Sequence, residues 1–270
     1  MRVLKVSILA LLVAFTGQLN AATVDGLNIH YTVEGEGPAI IFVHGWTCDI
    51  SSWRDQVPAF KDEFQVISLD LPGHGQSGIP EINHFSMDLF AGAVEAVRAE
   101  VGAEQAVLVG HSMGVVVIKQ YALNYPDRVT GLVAVDGPLD MRSFAPGGRQ
   151  EPREMTMEVR ETMIRGMFIE DTADDLQSHI LDMMLGTSSV TANGSGIAMF
   201  DPAIRSSERV NAPTLAIVAG TGTLPDMATI GEIVPNLQSI KVAGTGHFLM
   251  MEKPDTFNSL LANFLAGIEE

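Results

Sequence analysis

The chain has 270 residues, 46% of them apolar, with 33 acidic residues against 16 basic ones and a formal net charge of −17. That length supplies one sizeable core, as a single α/β domain or at most two small ones, and the composition excludes a disordered or fibrous protein. The charge repels a phosphate backbone and no Lys/Arg-rich run offsets it locally, so nucleic acid is excluded as a partner. A single cysteine, Cys48, forms no internal disulfide and builds no Cys-based zinc or iron–sulfur site, which leaves packing to hold the fold.

Arg2 and Lys5 precede a short apolar run over 6–15, followed by Gly17, Gln18 and the small pair Ala21 and Ala22. This is the layout of a secretory signal peptide over 1–21, and it falls short of the roughly 20 apolar residues of a bilayer span. Removing it takes away two positive charges and leaves 14 basic against 33 acidic residues, a net −19. The expectation is a secreted or periplasmic protein without a stable membrane span.

The segment 24–33 carries an Asp25-Gly26 turn and then alternation, which predicts antiparallel edge strands. Continuous apolar runs follow at 39–44, 64–70, 106–110, 129–136, 214–219 and 237–243, as strands of a sheet covered on both faces require. Segments 86–101, 113–125 and 255–268 place apolar residues at three- and four-residue spacing and read as crossover helices. Alternation of this kind predicts an α/β fold around a mostly parallel sheet with helices on both faces. The pattern breaks over 137–209, where two helices, 151–168 and 171–185, lie between loops rich in Gly, Ser and Pro. This insertion holds 8 of the 14 methionines, and adaptable Met side chains suit a helical cap over an apolar pocket. It divides the core into 22–136 and 210–270.

The chemistry concentrates at Gly110-His111-Ser112-Met113-Gly114, a G-x-S-x-G set between a predicted strand and a predicted helix. So sharp a turn strains the serine backbone, and glycines two residues to either side remove side chains that would collide there. Ser112 is left exposed at the carboxyl edge of the sheet, over the first turn of a helix whose free N–H groups favour developing negative charge. A hydroxyl needs a base. The chain order Ser, acid, His points to His247, after the final strand in Gly246-His247-Phe248. His44 and His74 flank turns and suit local hydrogen bonds, whereas His111 alternates away from the nucleophile. Acyl transfer also needs two donors on the oxyanion, and the backbone N–H groups of Met113 and of Trp46, in His44-Gly45-Trp46, are placed to supply them.

With His44-Gly45-Trp46, Asp70-Leu-Pro-Gly-His-Gly-Gln-Ser-Gly78, Gly110-His-Ser-Met-Gly114 and Gly246-His247-Phe248, the chain resembles an α/β-hydrolase-fold serine hydrolase of the esterase and lactonase kind over everything after residue 21. The resemblance implies the α/β-hydrolase fold, a Ser-His-Asp triad and an acyl-enzyme intermediate. The serine at the elbow argues against the epoxide hydrolases and haloalkane dehalogenases of this fold, which use aspartate there. Most relatives place the acid in a Gly-x-x-Asp turn, but the matching segment is Gly220-Thr221-Gly222-Thr223. Two acids satisfy the chain order. Asp136 ends the strand after the nucleophile helix, and Asp226 lies three residues beyond Thr223; Asp136 is preferred because a carboxylate at a strand's carboxyl end can hold the imidazole tautomer.

Gly73-His-Gly75-Gln-Ser-Gly78 matches a dinucleotide fingerprint in letters only, because Ile79-Pro80 interrupts where a helix must begin. No Gly-Lys or His-Glu pair exists, so neither a P-loop nor an H-E-x-x-H zinc site is expected, and the chemistry is read as metal- and cofactor-free. Asn193-Gly-Ser195 is a glycosylation sequon, and Cys48 reads as a small buried apolar residue. The expected activity is cleavage of a small, neutral, apolar ester or lactone. Carbon–carbon bond hydrolysis or amide cleavage on the same site is the alternative, and a non-catalytic binding protein is the reading from another class.

Overall fold

The computed structural model describes residues 22–141, 155–201, 204 and 207–268. The expected leader, 1–21, and the start expected for the first insertion helix lie outside those residues. A short hairpin comes first, β1 (Thr23–Val24) and β2 (Leu27–Asn28), whose turn residues Asp25 and Gly26 both have positive φ. That is the turn geometry an Asp-Gly pair favours. The hairpin forms its own two-stranded sheet rather than an edge of the large one.

The large sheet has seven strands: β3 (Tyr31–Glu34), β4 (Ala39–Val43), β5 (Gln65–Leu69), β6 (Ala106–His111), β7 (Val129–Val135), β8 (Thr214–Ala219) and β9 (Leu237–Val242), in the order β3-β5-β4-β6-β7-β8-β9. Only β3 runs antiparallel, against β5; every other pairing is parallel. All residues of β4, β6 and β8 are buried, as continuous apolar runs covered on both faces must be. The central strands end in register, His111 beside Val135 and Val135 beside Ile217, so the loops after β6 and β7 leave one edge together.

Helices α1 (Val57–Phe60), α2 (Met87–Glu100) and α3 (Met113–Asn124) lie between the first strands of the chain. Ser86 caps α2 by accepting from the Leu89 N–H at 3.0 Å. Between β7 and β8 lie α4 (Met157–Arg165), α5 (Asp174–Gly186) and α6 (Ser189–Met199); α7 (Met227–Ile230), α8 (Leu249–Glu252) and α9 (Pro254–Ile268) complete the chain. Helix α6 falls where sequence reading expected loop. Its composition, Ser-Val-Thr-Ala-Asn-Gly-Ser-Gly-Ile-Ala-Met, is a poor helix former, and tertiary packing overrides it. A Cβ on Gly194 would collide with the Phe85 ring, so the small residues are what let this helix approach the core. The sequon is therefore helical, with Ser195 fully buried.

The α4–α6 segment is tied across the carboxyl ends of β4 and β5. Trp46 Nε1 donates to Ala192 O at 2.8 Å, Thr187 Oγ1 to Thr47 O at 2.9 Å and Thr191 Oγ1 to Gly73 O at 2.9 Å. Among the described residues no helix is long and apolar enough to cross a membrane.

Candidate active site

Ser112 sits between β6 and α3 at φ +53° and ψ −115°, a conformation that costs an L-residue strain and persists only where the surroundings impose it. They do so through close approach. A Cβ on Gly110 would strike the backbone of Gly114, and one on Gly114 would strike Val43 O and lie 2.8 Å from His44 O. With glycine at both places, α3 starts hard against β4 and β6. The Ser112 N–H donates to Val135 O at 2.9 Å, which ties the elbow to β7. The Met113 N–H opens α3, where backbone donors have no intrahelical acceptor. Trp46 lies in the turn after β4 closed by Cys48 N–H to Gly45 O at 3.2 Å, with Thr47 at φ +57°. Its indole is buried and its amide lies on the loop neighbouring the elbow: a Cβ on Gly45 would be 3.2 Å from Ser112 Cβ.

Asp136 leaves β7 at φ +41°, a left-handed position that aspartate tolerates better than most residues. Its Oδ2 lies 2.6 Å from His247 Nδ1, and its Oδ1 accepts the Ala219 N–H at 2.9 Å. Burial opposes ionisation of this carboxyl. The His247 hydrogen bond and charge, the Ala219 N–H and His111 outweigh that, and its pKa lies below the ordinary aspartate value. The segment Gly220–Thr223, which lacks an acid, instead houses this one: a Cβ on Gly222 would lie 2.8 Å from Asp136 Oδ1. Asp226 does other work. It caps α7, accepting the Ala228 N–H and the Thr229 hydroxyl at 3.0 Å each.

The His247 main chain is held on both sides. Its N–H donates to Met167 O at 3.1 Å, in the segment after α4, and its carbonyl meets His111 Nε2 at 2.9 Å. His111 is therefore in contact with the histidine loop, a contact that strand alternation alone does not announce. As the last residue of β6, paired in register with Val135, His111 lies where the strand meets the loops at the sheet's carboxyl edge. One sign was available in the sequence: a histidine in an otherwise apolar buried strand needs a polar partner.

His44 and His74 make the local bonds expected of them, His44 Nδ1 to Gly45 O at 2.8 Å with Nε2 accepting from Leu71 N–H, and His74 Nδ1 to Pro72 O at 3.1 Å. Burial lowers the pKa of both, that of His74 to about 3. Burial pushes the Cys48 thiol up to about 12, which keeps it protonated and unreactive. Asp70 of the Asp-Leu-Pro-Gly-His-Gly segment organises its own turn, accepting from Ile50 N–H and Gln76 N–H at 2.9 Å and pairing with His30 Nδ1 at 2.8 Å. Among the described residues no group of three or more His, Cys, Asp or Glu side chains is arranged to hold a metal ion.

Residues 38–176 match the alpha/beta hydrolase fold family. Over 262 residues the chain is 31% identical to the dihydrolipoyllysine-residue acetyltransferase component of the acetoin cleaving system of Cupriavidus necator, covering 91% of this chain and 68% of that protein. Over 115 residues it is 34% identical to the bifunctional epoxide hydrolase 2 of Sus scrofa, an alignment of 42% of this chain that spans about a fifth, 21%, of that relative. A thermophilic esterase from Thermogutta terrifontis superposes with a TM-score of 0.81 at 22% identity over 93% of this chain and 97% of the esterase, a likeness of fold. The chain belongs to the alpha/beta hydrolase fold family.

Proposed function

We propose that the protein is a serine hydrolase that cleaves a carboxylic ester or lactone through Ser112, His247 and Asp136. The observation that carries this reading is the 2.6 Å contact of His247 Nδ1 with Asp136 Oδ2, formed at the same sheet edge as the strained Ser112 elbow. An ionised Asp136 keeps the His247 proton on Nδ1, which leaves Nε2 as the base. His247 Nε2 takes the Ser112 hydroxyl proton as Oγ bonds to the substrate carbonyl carbon. The carbonyl oxygen becomes an oxyanion against the Trp46 and Met113 N–H groups. Collapse breaks the ester C–O bond, and the leaving alkoxide takes the proton from His247, giving an acyl-serine. Water then gives a proton to His247 and attacks the acyl carbon; collapse returns the proton to Ser112 Oγ and releases the acid. With a lactone the alcohol stays tethered and the product is a hydroxy acid.

The segment 137–209 serves as the cap. The ties of its described residues Thr187, Thr191 and Ala192 to Thr47, Gly73 and Trp46 support that role, and the acidic composition suits a neutral substrate better than an anion. The leader-like pattern of residues 1–21 supports export to the periplasm or the medium. A turnover panel of short and long p-nitrophenyl esters, aliphatic lactones and aryl amides tests the reading. Ester or lactone hydrolysis lost in Ser112→Ala is expected; turnover confined to the amides, or none by folded protein, overturns it.

A further inference from the structure

The geometry points to His111 as a positioning residue for His247: its Nε2–H holds the His247 carbonyl and so fixes the imidazole that faces Asp136. The inference rests on the hydrolase reading above and deepens it. His111 is the last residue of β6, buried, and the immediate neighbour of Ser112. Its Nε2 lies 2.9 Å from His247 O, and the two rings are 4.6 Å apart between centroids. A carbonyl only accepts, so Nε2 carries the proton and Nδ1 is bare. That bare Nδ1 is buried and has no hydrogen-bond partner among the described residues; it faces Gly45, whose Cβ, if present, would lie 3.0 Å away.

A buried lone pair without a partner is costly, and an apolar side chain would fill the same slot without it. What the imidazole supplies and an apolar residue does not is the bond to His247. The remaining His247 main-chain bond runs to Met167, outside the sheet. His111 is thus the side chain that ties the loop of the base to the strand of the nucleophile, so that one short lever sets the relation between Ser112 and His247. The carbonyl acceptor sets the tautomer, and burial, with the charge of His247 adding to it, pushes the His111 pKa down to about 3, so the ring stays neutral in the working range. A cation here would oppose the imidazolium that forms on His247 during turnover.

The test replaces His111 by Gln, whose amide can donate to the same carbonyl, and by Phe and Met, which fill the slot without a donor. Two readouts are taken: kcat and KM on the best ester of the panel, and the low-field proton resonance of His247 Nδ1–H, which requires no turnover. His111→Phe and His111→Met are expected to lower kcat by about 10²-fold at nearly constant KM, and to shift or broaden the resonance, with His111→Gln recovering most of both. A donor-free variant whose kcat stays within about threefold and whose resonance is unmoved overturns the proposal, as does a Gln variant that falls as far as Phe. Wild-type protein that shows the resonance and hydrolyses no ester overturns the hydrolase reading alone, and the resonances of the variants then decide the role of His111.

Discussion

Replacing Asp136 by Asn changes one oxygen for an amide nitrogen at nearly constant shape, and the two contacts of the carboxylate make the consequence calculable. Oδ1 accepts from Ala219 N–H at 2.9 Å and Oδ2 meets His247 Nδ1 at 2.6 Å. If the Asn oxygen keeps Ala219, its NH2 faces His247 and requires Nδ1 to accept, so the imidazole proton moves to Nε2, where the serine proton must go. If the amide flips, two donors confront each other at Ala219 and a buried N–H is left unpaired, at about 1–3 kcal/mol. The wrong tautomer is thus favoured, and kcat should fall on the order of 10⁴-fold, about 5.4 kcal/mol at 1.36 per decade, with KM little changed. Initial rates on a p-nitrophenyl ester measure this, with thermal unfolding to show that the variant folds. Asp226→Asn is the control. It keeps a good N-cap on a four-residue helix and should leave the rate near wild type. Loss of turnover in Asp226→Asn together with a rate within about tenfold of wild type in Asp136→Asn would refute the reasoning.

Residues whose roles follow from local periodicity were legible in the sequence. The run Thr214–Ala219 is a strand at the expected bounds, and Met113–Asn124 follows the elbow as a helix. The Ser112 elbow was legible because the strand ends and the helix begins at its immediate neighbours. Helix α6 was not, since its stability comes from fitting Gly194 under Phe85, 109 positions away in sequence, and no local pattern records that fit. The choice between Asp136 and Asp226 depends on which loop meets His247 in space. A clue lay in Gly222, a small residue that leaves room for a carboxylate carried by another strand. The contact of His111 with the His247 carbonyl was not legible, because it joins residues 136 positions apart in sequence.

Three further outcomes are expected. Burial lowers His44 and puts His74 and His111 at about 3, while histidines of the unfolded chain protonate near 6.5; the unfolded state therefore binds more protons below about pH 6.5, and stability present above that pH is lost as it falls toward about 3. Three such groups give a slope of up to about 4 kcal/mol per pH unit, and urea midpoints that stay flat between about pH 8 and 5 would contradict it. Gly222→Ala brings a methyl within 2.7 Å of Val218 Cγ1 and 2.8 Å of Asp136 Oδ1, so it should lower kcat by about tenfold or more with the fold retained; full activity would show that Asp136 is not confined there. Gly194→Ala gains about 1 kcal/mol of helix propensity but drives a methyl into the Phe85 ring at a cost of about 1–3 kcal/mol, so chemical denaturation should show no net gain, and a clear stabilisation would mean that α6 packs more loosely than the contact implies.

The most direct measurement is reaction of the folded protein with a fluorophosphonate probe, followed by intact mass and peptide mapping. An activated Ser112 predicts a single adduct, on the peptide that contains Ser112, absent in Ser112→Ala and strongly slowed in His247→Ala. Folded wild-type protein that takes up no probe, or takes it up on another residue, would contradict the assignment of Ser112 as nucleophile.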